Sequence, residues 1–184
     1  MDGTSATYIL RKCKNLFRKD SYEYIVCSRN VVQDDPDKIP YQGMKTNVYI
    51  EMSKKYNIKE KMIKYAENNN IDLLVIQGEI IGESIQKNPY KMNNRDLYLF
   101  NLVINGVRKG FEELRQFACV LDFKYVPVAD VAYHLPETME EIKTNADGYS
   151  LINPKVKREG VVCRSFDGQI SFKNVSREYL LKHS

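Results

Sequence analysis

Two carboxylates and two cations stand beside strand-like segments that are far apart in this 184-residue chain. Glu79 lies between Gly78 and Gly82, just after the apolar run Leu73-Leu74-Val75-Ile76. Arg29 follows the apolar stretch that ends at Cys27-Ser28. Glu159 opens Arg158-Glu159-Gly160-Val161-Val162-Cys163-Arg164, and Lys173 closes Ile170-Ser171-Phe172-Lys173. Near the start, Asp2 precedes Gly3, a residue that permits a tight turn. Phe100, in Asp96-Leu97-Tyr98-Leu99-Phe100-Asn101, offers an aromatic face. These are the types that transfer of a nucleotide from ATP requires. Cations meet the phosphate oxygens, a carboxylate stands near a divalent metal, a ring holds the base, and a nucleophile attacks in line with departing pyrophosphate. Each residue also has a plainer reading. Arg29 is then a surface charge, Glu79 part of a strand-end turn, Phe100 a core ring, Asp2-Gly3 a frayed terminus and Glu159 a strand start. Glu79 stands between the two readings, because a carboxylate at the end of an apolar strand is costly to bury without a partner.

Several elements must position these groups. The β-branched and aromatic content predicts paired strands over 7–11 and 22–28, joined by polar residues 15–20. An irregular loop is expected at Asp34-Asp35-Pro36-Asp37 and Pro40-Tyr41-Gln42-Gly43. Helices are expected over 47–57 and 58–69; in the second, Ile58, Met62 and Tyr65-Ala66 fall at helical spacing. Buried strands follow over 72–81 and 97–105, the latter ending in the Asn105-Gly106 turn signal. An amphipathic helix over 111–121 shows Phe111, Leu114, Phe117 and Ala118 on one face. A strand is expected over 125–131. A helix opened by the Thr138-x-x-Glu141 capping box should end near Asp147-Gly148. Strands over 160–164 and 169–173 form a hairpin across Asp167-Gly168, and Ser176 caps a final short helix. Strands and helices mix without βαβ alternation, which favours an α+β fold with antiparallel sheets.

Read in order, Met1-Asp2-Gly3-Thr4-Ser5-Ala6-Thr7, Cys27-Ser28-Arg29-Asn30, Gly78-Glu79-Ile80-Ile81-Gly82-Glu83 and the Glu159 and Lys173 segments resemble the motifs of the covalent nucleotidyltransferases, and among them the ATP-dependent RNA ligases. The resemblance runs from Met1 to about Leu181. It implies an adenylation domain of the nucleotidyltransferase (ATP-grasp-like) type, with antiparallel sheets flanked by helices, using ATP and Mg²⁺ or Mn²⁺. It implies that Asp2, Gly3, Arg29, Glu79, Phe100 and Lys173 bind the nucleotide. Glu79 would take the ribose hydroxyls and Phe100 the adenine. Glu159, Lys173 and Arg29 would serve the chemistry, with Glu159 beside the metal. The family's first motif reads Lys-x-Asp-Gly, and Met1 stands at x. The resemblance therefore implies a single domain over 1–184, cut short at its N-terminus and unable to adenylate itself as given. It also departs from the family in two places. Ser171 replaces the first of two closing lysines, and Asn101 stands where an aspartate is usual.

Composition sets outer limits. A hydrophobic fraction of 43% and a charged fraction of 28% suit a globular domain. No apolar run reaches membrane-span length, and no signal peptide is visible, so a cytoplasmic protein without a membrane partner is expected. The net charge of +4 permits a polyanion such as RNA ends or nicks without demanding one. Cys13, Cys27, Cys119 and Cys163 show no C-x-x-C pairing and read as buried or inert thiols. With only His134 and His183 beside them, a zinc site is not expected. Three other readings stay open. A DNA ligase or capping-type enzyme would carry a further oligonucleotide-binding domain, for which the chain is short. A non-catalytic nucleotide- or RNA-binding module would bind ATP or RNA without a covalent adduct. An α+β domain without a nucleotide site would make five ordered motif matches a coincidence.

Overall fold

The computed structural model describes residues 2–15, 20–34 and 46–183. Strand β1 (Thr4–Cys13) pairs antiparallel with β2 (Ser21–Cys27) on one side and with β3 (Leu73–Ile81) on the other. Next to β3 lies β4 (Asp96–Ile104), followed by the short β5 (Val107–Arg108), so the sheet order is β2-β1-β3-β4-β5. The β4–β5 reversal is a tight one: Asn105 and Gly106 both have positive φ, at 50° and 82°, the signature of a two-residue hairpin turn that follows strand twist. The Asn105 side chain also accepts hydrogen bonds from the backbone N–H groups of Asp72 and Leu73, tying the entry of β3 to the exit of β4.

Alternation along the strands gives the sheet two different faces. Leu10, Tyr8 and Ala6 of β1 register with Leu74, Ile76 and Gly78 of β3, and these with Ile104, Leu102 and Leu99 of β4. Helices α1 (Val48–Lys55), α2 (Ile58–Asn68) and α3 (Phe111–Val120) cover this face. Tyr49, Met52, Ile58, Met62 and Phe117 close the core against it, each with at most 2% exposure. Asn47 caps α1 by accepting from the N–H groups of Tyr49 and Ile50, and Glu113 reaches back to the Gly110 N–H at the start of α3.

The C-terminal part consists of α4 (Met139–Thr144), the hairpin β7 (Gly160–Arg164) and β8 (Ser171–Val175), and α5 (Arg177–His183). Thr138 caps α4 through the Glu141 N–H, and Ser176 bonds the Tyr179 N–H at the start of α5. Among the described residues no helix is long and apolar enough to cross a membrane.

Four expectations need correcting. The strand over 125–131 shrinks to β6 (Lys124–Tyr125), which pairs with β4 in parallel rather than antiparallel fashion. The Val126 N–H still bonds to Leu99, but Pro127 has no N–H to continue the ladder. Helix α4 stops at Thr144, short of Asp147-Gly148, because the Arg158 guanidinium takes up the carbonyls of Asn145, Ala146 and Asp147 in a non-helical turn. The hairpin's second strand runs from Ser171 to Val175, two residues later than expected. The cysteines are free but none is fully buried: Cys119 is exposed on the outer side of α3, and the other three are half-buried. The loop expected at 34–37 and 40–43 lies, Asp34 apart, outside the described residues.

Candidate active site

The other face of the sheet carries two polar rows toward the end where β1 begins, whereas the helix-backed face is apolar. Ser5 of β1 registers with Glu79 of β3, and Glu79 with Tyr98 of β4; one step along, Thr7 registers with Gln77, and Gln77 with Asn101. The side chains of the second row are linked. The Gln77 amide donates to the Thr7 hydroxyl at 3.2 Å, and Asn101 donates to Gln77 at 2.7 Å. Asn101 is 3% exposed, and its Oδ1 has no hydrogen-bond partner among the described residues.

Between these rows the ladder slips. Leu99 pairs with Gly78 and Asn101 with Gln77, so Phe100 is an extra residue on β4, a β-bulge. Phe100 is half-buried and stands outside the apolar core, contrary to the plain reading of a phenylalanine in a strand. Its carbonyl accepts a 2.7 Å hydrogen bond from the Arg164 guanidinium on β7, which joins the hairpin to the bulged strand.

Glu159 and Lys173 form an ion pair across the base of that hairpin. The Glu159 side chain is only 12% exposed, whereas Lys173 is 49% exposed, so the pair is solvated mainly on its cationic side. Gly160 makes the close packing possible. Its φ of +150° disfavours a side chain, and an added Cβ would meet the Asn174 carbonyl oxygen at 2.1 Å. The charged pair Arg158-Glu159 divides its work: Arg158 clamps the turn after α4, and Glu159 faces Lys173.

Glu79 lies within electrostatic reach of this pair. Burial first, with the neighbouring Glu159 and Asp2 carboxylates adding to it and Lys173 opposing them, pushes its carboxyl up from the ordinary 4.5 to about 7. Asp2 joins the same cluster. Its backbone N–H donates to the Tyr90 hydroxyl at 2.7 Å, and its carboxylate accepts from Tyr179 of α5 at 3.4 Å. Gly3 is held so close to β3 that an added Cβ would sit 2.4 Å from the Ile80 carbonyl oxygen. Arg29 stands apart. It is exposed in the reversal Ser28–Val31 after β2, where the Ser28 N–H bonds to Val31, at the end of the sheet where Thr7 pairs with Cys27.

The fold thus brings Asp2, Gly3, Glu79, Glu159 and Lys173 together, sets Phe100 beside them through Arg164, and leaves Arg29 at the rim. Neither the bulge at Phe100 nor the bond between Asp2 and Tyr90 had a sequence signal. Val162 shares a hairpin face with Lys173 and Arg164 by register and is 59% exposed.

The donor set suits a nucleotide with a divalent ion. Among the described residues no three His, Cys, Asp or Glu side chains converge on one ion position. One or two carboxylates completed by phosphate oxygens is the way magnesium-type ions are held beside nucleotides. Glu159 and Lys173 place one carboxylate and one half-exposed cation side by side.

The sequence profile described as RNA ligase matches residues 1–182. Among solved structures, the Naegleria gruberi RNA ligase with pyrophosphate is 34% identical, with a TM-score of 0.75. A lysine-to-alanine variant of that ligase with ATP and manganese is 33% identical, with a TM-score of 0.77. An aspartate-to-alanine variant without ligand is 32% identical, also at 0.77. Each match covers 100% of this chain, which spans about half the length of these relatives, 49% to 50%. No curated protein matches at the same stringency.

Proposed function

Because the chain belongs to the RNA ligase family, we propose that it is the adenylation domain of an ATP-dependent RNA ligase, sealing RNA 5′-phosphate and 3′-hydroxyl ends or nicks. The observation that carries this reading is the Glu159–Lys173 pair standing within electrostatic reach of Glu79 and Asp2 on one polar sheet face. The solved relatives support the assignment. Their alanine variants replace a glutamate and a lysine fourteen positions apart, the same separation as Glu159 and Lys173. Other variants replace a lysine and an aspartate two positions apart, as in Lys-x-Asp.

In this reading the sequence places roles as follows. The adenine lies on Phe100. Glu79 holds the ribose hydroxyls and Arg29 the phosphate at the rim. Lys173 leaves Glu159 for the α-phosphate oxygens and neutralises charge as pyrophosphate departs. Glu159, released from the ion pair, would hold a divalent ion, Mg²⁺ or Mn²⁺, which would supply Lewis-acid chemistry at the phosphate. A lysine directly ahead of Met1 attacks the α-phosphorus; the bond to pyrophosphate breaks, and a lysyl-AMP forms. AMP then passes to the RNA 5′-phosphate, and the 3′-hydroxyl displaces it.

The test compares this chain with one in which a lysine is supplied directly ahead of Met1. Both are incubated with α-labelled ATP and Mg²⁺ or Mn²⁺ and then denatured. Label on the extended chain alone establishes the reading. Label on neither, with ATP still bound, makes the protein a nucleotide-binding module instead.

A further inference from the structure

The fourteen residues between β3 and β4 carry no family motif beyond Gly82-Glu83, yet the fold spends unusual backbone conformations on them. Ser84, Gln86, Lys87, Asn88 and Lys91 all have positive φ, between 43° and 63°. In each such non-glycine residue the Cβ crowds the following carbonyl oxygen, a conformation L-residues rarely adopt. Local bonds offset the cost. The Ile85, Asn88 and Lys91 N–H groups each close a turn onto a carbonyl three residues back, and the Asn88 side chain both donates to and accepts from the Met92 backbone. Ile85 anchors the segment at 1% exposure.

What this coil delivers is Tyr90. It is 4% exposed but does not belong to the main apolar core. Its carbonyl accepts from the Asn153 side chain at 2.9 Å, and its hydroxyl accepts from the Asp2 N–H at 2.7 Å. Tyr90 therefore joins three separate stretches of chain: the N-terminal segment, the β3–β4 connection and the segment that leads into Glu159. A tyrosine among the Asp2, Glu79 and Glu159 carboxylates stays protonated. Burial, followed by those charges, pushes its hydroxyl up to about 12, with the Asp2 N–H working in the opposite direction.

We propose that Tyr90 is a positioning residue for nucleotide transfer, fixing the Asp2 backbone and, through it, the point directly ahead of Met1 from which the family's lysine attacks. This rests on the ligase reading above. An attacking atom misplaced by about 1 Å loses on the order of 100-fold in rate. A hydroxyl holding the peptide two residues from the nucleophile thus acts on the rate of attack rather than on ATP affinity.

The experiment uses the lysine-supplied chain, its Tyr90→Phe variant and Asn153→Ala, which loosens Tyr90 without touching its ring. The expected result for Tyr90→Phe is an adenylylation rate at saturating ATP about tenfold lower, with the KM for ATP within about twofold. On ¹⁵N-labelled protein, the Asp2 amide should exchange with solvent about tenfold faster. Asn153→Ala should show the same split at about threefold, and it decides the matter if Tyr90→Phe does not fold. An unchanged rate overturns the inference, and so does a parallel loss of KM, rate and melting temperature, which would make Tyr90 merely structural. If the lysine-supplied parent forms no adduct, the ligase reading fails and this inference fails with it; a labelled parent with an equally active Tyr90→Phe sinks the inference alone.

Discussion

On the helix-backed face of the central sheet, Tyr8, Leu74, Ile76 and Leu99 are sealed from solvent, and the β1–β3 register beneath them runs without a slip. On the opposite face, Ser5, Thr7, Gln77, Glu79, Tyr98 and Asn101 occupy the alternate positions of the same strands. There the ladder bulges at Phe100, a half-buried carboxyl is pushed up to about 7, and a buried amide oxygen goes unbonded. The same backbone thus carries two kinds of surface. One is closed by apolar packing and stabilises the fold. The other keeps polar groups half-desolvated and under-satisfied, which costs stability and leaves them ready for a ligand. The difference teaches that site and core are separable here, one strand position apart, because the pleat sends successive side chains to opposite sides.

The sharpest way to break that separation is Lys173→Ala. In the lysine-supplied chain it should lower adenylylation by about 100- to 1,000-fold, as loss of a charge that meets the transition state does. The melting temperature should move by no more than about 4 °C, since Lys173 is half-exposed and such pairs contribute about 0–1 kcal/mol. A large loss of stability in thermal denaturation would show that the pair holds the fold instead. The converse substitution is Ile76→Ala, on the sealed face. Urea unfolding should give a loss of about 2–5 kcal/mol, while the ATP dissociation constant of the folded fraction stays within about threefold.

A smaller effect comes from Glu79. Its folded carboxyl titrates near 7 against an ordinary 4.5, so the native state holds a proton more tightly than the unfolded chain. Folding stability therefore falls as pH rises from about 4.5 through 7, and the cost is fully present above 7. Glu79→Gln should raise stability by about 1–2 kcal/mol at pH 8, reduced from the 1.36 kcal/mol per pH unit because the group is only half-buried. Below pH 4.5 the variant and parent should unfold alike. A pH-independent difference in urea midpoints would contradict the assignment. The smallest expected change is Phe100→Leu. It should keep the fold and weaken ATP binding about tenfold, measured by calorimetry, because a flat ring face is worth about 0.5–1.5 kcal/mol beyond its area.

The sequence was most legible where a period repeats. Ile58, Met62 and Ala66 predicted a helix and line the buried side of α2; the apolar run of β3 predicted a buried strand; Asn105-Gly106 predicted the turn that its two positive φ values make. The site was legible as residue types in an order, and the fold gathers most of them on one sheet face. It was less legible wherever a contact between distant segments overrides local preference. Arg158 reads as part of a charged motif, but its guanidinium ends α4. Phe100 reads as core until the slip in register with β3 turns it out of the core. The strand expected over 125–131 ends where Pro127 interrupts the ladder, a signal the sequence did contain.

By itself, then, the sequence determined the alternation that gives the sheet two faces, the turns that reverse its strands, and the identity of the groups able to meet a nucleotide. These follow from side-chain chemistry and spacing over a few residues. Only the tertiary structure decided that Asp2 meets Tyr90 across 88 positions of chain, that Arg164 reaches Phe100 across 64, and that Glu79 is desolvated enough to hold its proton near neutral pH. Those outcomes depend on burial and on long-range register, and both are set by the packing of the whole chain.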